Sequence, residues 1–223
     1  MRQLALPLAP PPLPTLENFV RGSNAELLAA LTALCRGAAG ERFVYLWGGH
    51  GCGKTHLLRA LLSAFSERGE AAVMLTGPGA QRYAGPMGAV LVDDVDKFND
   101  EGQEQLFSTY NTQREHGGVL VAAGAVPSAR LPLRDDLATR LGWGLVYEVR
   151  GLSDEEKMDA MTEHARARGF TLDRDVLDYL LRRQARDLPT LLGLLDALDR
   201  YSMENKRAIT IPLVRELLAD AGG

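Results

Sequence analysis

Apolar and polar positions along the chain follow two different rhythms. Leu27, Leu28, Leu31, Leu34 and Cys35 recur at helical spacing, behind Ser23-Asn24-Ala25-Glu26, which reads as a capping box, and ahead of Gly37, which ends the helix. A β/α alternation then begins. Phe43-Val44-Tyr45-Leu46-Trp47 is an unbroken apolar run, as expected of a strand buried on both faces. A glycine loop and a helix over about 54–68 follow. Strands are predicted at 71–75, 89–92, 119–123 and 145–149, with helices over about 100–115 and 134–141 between the later ones. Residues 77–88 hold four glycines and two prolines and read as a loop.

After Gly151 only the helical rhythm remains. Ser153-Asp154-Glu155-Glu156 is a second capping box, opening a helix that Gly169 ends. Helices near 173–184 and 188–204 follow, the second with Leu191, Leu194, Leu195 and Leu198 in one apolar stripe. Ile209-Thr210-Ile211 leads into a last helix with Pro212 at its first position. The pattern predicts an α/β domain over residues 16–150, built on a five-stranded parallel sheet flanked by helices. A small all-α lid is predicted over 151–223, and an extended, proline-rich tail over 1–15.

Composition narrows the function classes. Among 223 residues, 25 basic side chains face 29 acidic ones. Residues 1–150 carry 14 basic and 15 acidic groups, and residues 151–223 carry 11 and 14. Neither part has the net positive charge that drives strong binding to a phosphate backbone, so direct sequence-specific DNA binding is not expected. No apolar run reaches the length of a membrane span. The leader Met1-Arg2-Gln3-Leu4-Ala5-Leu6 resembles a signal peptide only until its prolines, and no small-residue cleavage site follows. Two cysteines, Cys35 and Cys52, make no disulfide framework, so the cytoplasm is the expected compartment. The four histidines, His50, His56, His116 and His164, show no metal-ligand spacing with the cysteines.

The chemistry concentrates in one run. Gly48-Gly49-His50-Gly51-Cys52-Gly53-Lys54-Thr55 fits G-x-x-x-x-G-K-[ST] between a buried strand and a helix. Glycines let backbone N–H groups curl around a phosphate, and the helix N-terminus adds its dipole. Lys54 is expected to reach the β and γ oxygens of ATP or ADP, and the Thr55 hydroxyl to ligate Mg²⁺. His56 follows in the first turn of the helix and is counted with the nucleotide-binding set, as a packing residue rather than a base. Cys52 reads as a small residue tolerated in the loop, although a thiol among backbone amides can be redox-sensitive. Val90-Leu91-Val92-Asp93-Asp94 supplies an acidic pair at the end of a buried strand. Asp93 is expected to hold Mg²⁺ through its water shell, and Asp94 to orient the attacking water.

With these motifs on a β/α domain followed by a helical lid, the chain resembles the AAA+ ATPases. More closely, it resembles the Hda proteins, regulators homologous to the replication initiator DnaA, over nearly all of its length. Asp136-Leu137-Ala138-Thr139-Arg140-Leu141-Gly142-Trp143-Gly144 is similar to the segment that carries the family's arginine finger. The resemblance implies that Arg140 projects to a neighbouring subunit's γ-phosphate, a contribution of about 10³–10⁵ in rate. Arg186, in Arg186-Asp187-Leu188, aligns with the lid arginine that touches bound nucleotide, with Arg182 and Arg183 as nearby alternatives. The chain departs from the family beyond the fourth strand. Val121-Ala122-Ala123-Gly124-Ala125 lacks the expected polar residue, which implies weak hydrolysis by the chain alone. Gln3-Leu4-Ala5-Leu6-Pro7-Leu8 is similar to the peptide by which Hda proteins bind the DNA polymerase sliding clamp. Gln3, Leu4, Leu6, Pro7 and Leu8 would dock into an apolar groove, with Pro7 lowering the entropy lost.

The resemblance implies a regulator, in oligomeric form, that acts at the DNA-loaded clamp. There it would stimulate the initiator DnaA to hydrolyse its ATP and so prevent reinitiation of replication. The alternative is an autonomous AAA+ ATPase, acting as a helicase loader or an initiator-like motor on DNA. Two features favour the regulator: no helix-turn-helix module of about a hundred residues follows the lid, and basic stretches are absent.

Overall fold

A computed structural model describes residues 13–78, 88–183 and 187–221 of the chain. Five parallel strands form one sheet in the order β2-β3-β4-β1-β5. They are β1 (Phe43–Trp47), β2 (Ala72–Leu75), β3 (Ala89–Val92), β4 (Val119–Gly124) and β5 (Leu145–Glu148). β1 runs in register from Phe43 opposite Leu120 to Trp47 opposite Gly124, which puts the ends of β1 and β4 side by side.

The unbroken apolar run of β1 follows from its place inside the sheet. Side chains alternate between faces, so a strand covered on both sides must be apolar at every position. Val44 and Leu46 join Leu27 and Leu31 of α1 (Ala25–Cys35) and Leu57, Leu61 and Phe65 of α2 (Lys54–Glu67). Phe43 and Tyr45 join Leu106 and Tyr110 of α3 (Asp100–His116) and Leu137 and Leu141 of α4 (Asp135–Leu141) on the other face. β5 does not share the burial of β1 on both faces. It lies at the edge, with Leu145 36% and Val146 40% exposed, because nothing pairs or packs beyond it among the described residues.

Two terminal details also differ from the sequence reading. The first capping box does not form. α1 starts after Asn24, whose side chain makes no cap bond. It spans instead to the chain leaving β5, donating to the Arg150 carbonyl at 2.9 Å and accepting from the Arg150 N–H at 2.8 Å. Pro212 is the second rather than the first residue of the last helix, where its missing N–H still costs no helical bond.

The chain divides into two compact units at Gly151 and Leu152. Beyond that division, α5 (Asp154–Ala167), α6 (Arg174–Arg183), α7 (Leu188–Asn205) and α8 (Ile211–Ala221) enclose their own core. Met161, Leu177, Leu180, Leu191, Leu195, Leu198, Leu213 and Leu217 fill it. The second capping box forms as expected: Ser153 Oγ accepts from the Glu156 N–H at 3.1 Å, and Glu156 Oε2 accepts from the Ser153 N–H at 2.7 Å. α5 and α7 are braced by His164 against Asp196 at 2.7 Å and by Arg168 against Asp196 at 3.2 Å. Among the described residues, no helix is long and apolar enough to cross a membrane.

Candidate functional site

The glycine run forms the turn from β1 into α2. Gly48 lies so close to the chain leaving β5 that a Cβ there would stand 2.4 Å from the Val149 carbonyl oxygen. Gly53, the residue before α2, has φ +103°, and a Cβ on it would stand 2.6 Å from the Phe19 ring. Only glycine meets both demands at that position. A Cβ on Gly49 or Gly51 would meet nothing within 4 Å, so that side of the loop faces open space. His50 is exposed beside them. Because Gly53 has no side chain, α2 begins without a side-chain cap. The N–H groups of its first turn and the positive end of its dipole are thereby left for an anion.

Lys54 folds back over this turn, donating from Nζ to the Gly48 carbonyl at 2.7 Å and the Gly49 carbonyl at 3.0 Å, with Cys52 Sγ 3.7 Å away. The Thr55 hydroxyl donates to Asp93 Oδ2 at 2.6 Å. Asp93 is buried at the end of β3, and its other oxygen accepts from the Asp94 N–H at 3.0 Å. The two oxygen donors assigned to Mg²⁺ thus come from elements 38 residues apart and meet beside the loop. They are hard oxygen donors of the type Mg²⁺ takes, and a water shell can complete an octahedron around them.

Asp94 holds the backbone in the left-handed region, φ 50° and ψ 46°, which for a non-glycine residue costs of order 1–3 kcal/mol. Its carboxylate accepts from Lys97 Nζ at 2.7 Å, and that hydrogen bond, with the Asp94 charge, holds the Lys97 ammonium above its ordinary pKa. The acid is tethered at the rim of the site by a neighbour on its own turn.

The end of β4 shows what takes the place of the missing polar residue. A Cβ on Gly124 would stand 2.4 Å from the Tyr45 hydroxyl. That hydroxyl donates to the Val126 carbonyl at 2.7 Å, while Asp96 Oδ1 accepts from the Ala125 N–H at 3.0 Å. Burial pushes the Tyr45 phenol well above its ordinary value. Tyr45 comes from β1, so nothing around residues 121–125 in the sequence announces it.

Phe19 and Thr15 are further site residues absent from the sequence reading. His56 Nε2 lies 3.0 Å from the Thr15 carbonyl oxygen, and the Phe19 and His56 rings meet edge to face at 5.5 Å. His56 thus fastens the segment before α1 over the start of α2, in keeping with a packing role. The only sequence signal was an isolated apolar pair, Leu16 and Phe19, without period.

Arg140, in the last turn of α4, contacts α3 and its own turn rather than the glycine loop. Its Nε donates to Asn111 Oδ1 at 3.2 Å and its Nη1 to the Asp136 carbonyl at 3.1 Å. Its guanidinium lies 4.2 Å from the Phe107 ring centroid and 5.4 Å from that of Trp143. Arg186 and the tail residues Gln3, Leu4, Leu6, Pro7 and Leu8 lie outside the described residues. Of the nearby alternatives, Arg182 and Arg183 end α6, and the Arg183 guanidinium lies over the Tyr179 ring at 5.6 Å.

Comparison with known proteins matches each unit. Residues 154–218 match the family described as Hda, lid domain, and residues 13–76 match the bacterial DnaA ATPase domain. Domain III of the Thermotoga maritima replication initiation protein DnaA superposes with a TM-score of 0.71 at 21% identity, over 94% of this chain and 98% of that one. The AMPPCP-bound DnaA of Aquifex aeolicus gives 0.67 at 19% identity, over 86% of this chain and 69% of its own. The Thermotoga maritima RuvB Holliday junction branch migration motor gives 0.66 at 19% identity, over 94% of this chain and 74% of its own.

Proposed function

The chain is a DnaA-like AAA+ protein with an Hda-type lid domain, and from that premise we propose that it is a nucleotide-dependent regulator of replication initiation. Recruited in the cytoplasm to the DNA-loaded sliding clamp by its N-terminal tail, it stimulates the initiator DnaA to hydrolyse ATP. The observation that carries this reading is a pairing at one site. The binding half is intact, with an uncapped helix start, Lys54 on the loop and Thr55 against Asp93. Residues 121–125 at the end of β4, by contrast, carry no polar side chain of their own, and the Tyr45 hydroxyl beside Gly124 is taken up by the Val126 carbonyl. Such a site holds ATP or ADP better than it turns it over.

In this reading Lys54 leaves the Gly48 and Gly49 carbonyls to meet the β and γ oxygens, and the loop N–H groups cradle the phosphates. Thr55 and Asp93 would hold Mg²⁺, which when bound offsets charge on the phosphate oxygens. Arg186 would touch the nucleotide from the lid, with Arg182 and Arg183 as alternatives. The nucleotide then sets the arrangement of domains and subunits, and Arg140 acts on the ATP of the neighbouring initiator. AMPPCP binding by the Aquifex aeolicus DnaA supports the nucleotide assignment by analogy of fold.

The retained acid Asp94 favours the second reading, an autonomous ATPase acting as a helicase loader or initiator-like motor. Its tether to Lys97 weighs against that reading. Steady-state ATP hydrolysis separates the two. The regulator shows little hydrolysis alone and a large increase with DnaA and clamp-loaded DNA, lost when Gln3→Ala and Leu6→Ala are combined. Substantial hydrolysis by this chain alone, indifferent to the clamp, would establish the motor.

A further inference from the structure

The chain carries a net charge of −4, yet folding gathers arginines on one face of its helical unit. On α6, Arg183 stands one turn beyond Tyr179, and its guanidinium lies 5.6 Å from the Tyr179 ring centroid. Arg215 of α8 brings a second guanidinium to the same ring, at 5.5 Å. Both arginines are exposed, whereas Tyr179 is half-buried against the core of the unit. Cation–π attraction holds each guanidinium at the ring but neutralises neither, and two like charges sharing one ring repel. Among the described residues neither arginine makes an ion pair. Glu216, next to Arg215, is taken by Arg207 through two hydrogen bonds, at 2.7 and 3.1 Å. Asp175 and Asp178, the acids of α6, form no ion pair with Arg183 or Arg215. Two positive charges are thus presented side by side with no counter-ion.

Guanidinium forks match phosphate oxygens. A tyrosine whose ring is engaged by two cations is a support for charge rather than a platform on which a base can stack. We propose that Tyr179, Arg183 and Arg215 form a contact surface for the phosphodiester backbone of duplex DNA, indifferent to base sequence. This agrees with the composition, which speaks against sequence-specific binding, because two phosphate contacts give only a weak, salt-sensitive affinity. The surface joins two helices that are separate in sequence, so no basic stretch announces it. It rests on the regulatory reading only for where the DNA comes from. A chain held by its tail at the DNA-loaded clamp meets the duplex at a high effective concentration, and a weak contact then suffices. Arg183 belongs to this surface, which leaves Arg186 and Arg182 for the nucleotide.

The test is fluorescence anisotropy of a labelled duplex of mixed sequence, titrated with the full chain over a range of salt concentrations, without clamp or DnaA. The logarithm of the association constant should fall against that of salt with a slope of about −2, one unit for each phosphate contact. Arg215→Ala should weaken binding about fivefold to tenfold near 0.1 M salt and reduce the slope by about one. Arg215→Lys, which keeps the charge, should retain the slope. Tyr179→Leu, which keeps the apolar packing, should weaken binding about threefold at an unchanged slope, because the charges remain but are no longer held. Tm serves as the control for folding, and a duplex of different sequence should bind alike. Gln3→Ala with Leu6→Ala should leave duplex binding as it was while clamp binding is lost, so the two assignments fail separately. Absence of salt-dependent binding, or an Arg215→Ala chain with the affinity and slope of the natural one, would refute the surface. So would an Arg215→Glu chain that binds duplex normally but needs a higher concentration to stimulate DnaA, which would make the patch a contact for an acidic protein face. If duplex binding follows the expected pattern while stimulation of DnaA is absent, the surface stands and the regulatory reading fails.

Discussion

Two helices of this chain begin in opposite ways. α5 starts behind a complete capping box, with Ser153 and Glu156 satisfying each other's N–H groups. α3 and α7 are likewise capped, by Asn99 and Asp187. α2 starts behind Gly53, with no side chain to accept from its first turn. A capped start stabilises the fold by about 1 kcal/mol, and a bare one gives that up. α1 and α4 also start without a side-chain cap, so what sets α2 apart is the company of its bare start: the donors lie beside Lys54, Thr55 and Asp93, where a phosphate can complete them.

The comparison breaks most easily at Lys54. Lys54→Ala removes the charge that meets the phosphates, and truncating one partner of such a pair costs about 2–5 kcal/mol. Nucleotide Kd by calorimetry should rise by at least about 30-fold, with Tm in the absence of nucleotide little changed. An unchanged Kd would make the glycine loop a structural turn.

Ser153→Ala should do the reverse. It should lower the stability of the lid by roughly 0.5–2 kcal/mol, read by denaturant unfolding, and leave nucleotide Kd as it was.

The smallest effect concerns the two thiols. Burial pushes the Cys35 thiol up from its ordinary value of 9.0 to about 11, whereas Cys52 lies half-buried in the loop 3.7 Å from Lys54 Nζ. At pH 8 a thiol reagent followed by mass spectrometry should label Cys52 first and Cys35 only on unfolding, and ADP should slow Cys52 alone. Because the folded value of Cys35 lies above the unfolded one, its neutral thiol contributes stability below about pH 9 that is lost as pH rises towards 11. Equal labelling of both thiols would contradict the burial of one and the place of the other in the binding loop.

What was legible in the sequence was local. The loop is eight consecutive residues, and the strands β1, β3 and β4 are uninterrupted apolar runs because helices cover both their faces. What was not legible was set at a distance. Asn24 forgoes its cap for Arg150, 126 residues away, and no local pattern encodes that choice. β5 is exposed because of its position in the strand order, which hydrophobic period does not report. Phe19 over Gly53 and the Tyr45 hydroxyl against Gly124 belong to the site by folding alone. The Asn111 contact of Arg140 likewise joins two helices that are separate in sequence.

The central claim, that this chain acts on another protein's nucleotide, has a direct test in single turnover. DnaA preloaded with γ-³²P-labelled ATP is mixed with clamp-loaded DNA and a molar excess of this chain, and phosphate release is followed. The account predicts rapid release with the natural chain and release at the unstimulated rate with Arg140→Ala, whose folding and nucleotide Kd are unchanged. Equal release with both chains, or none with either, would contradict it.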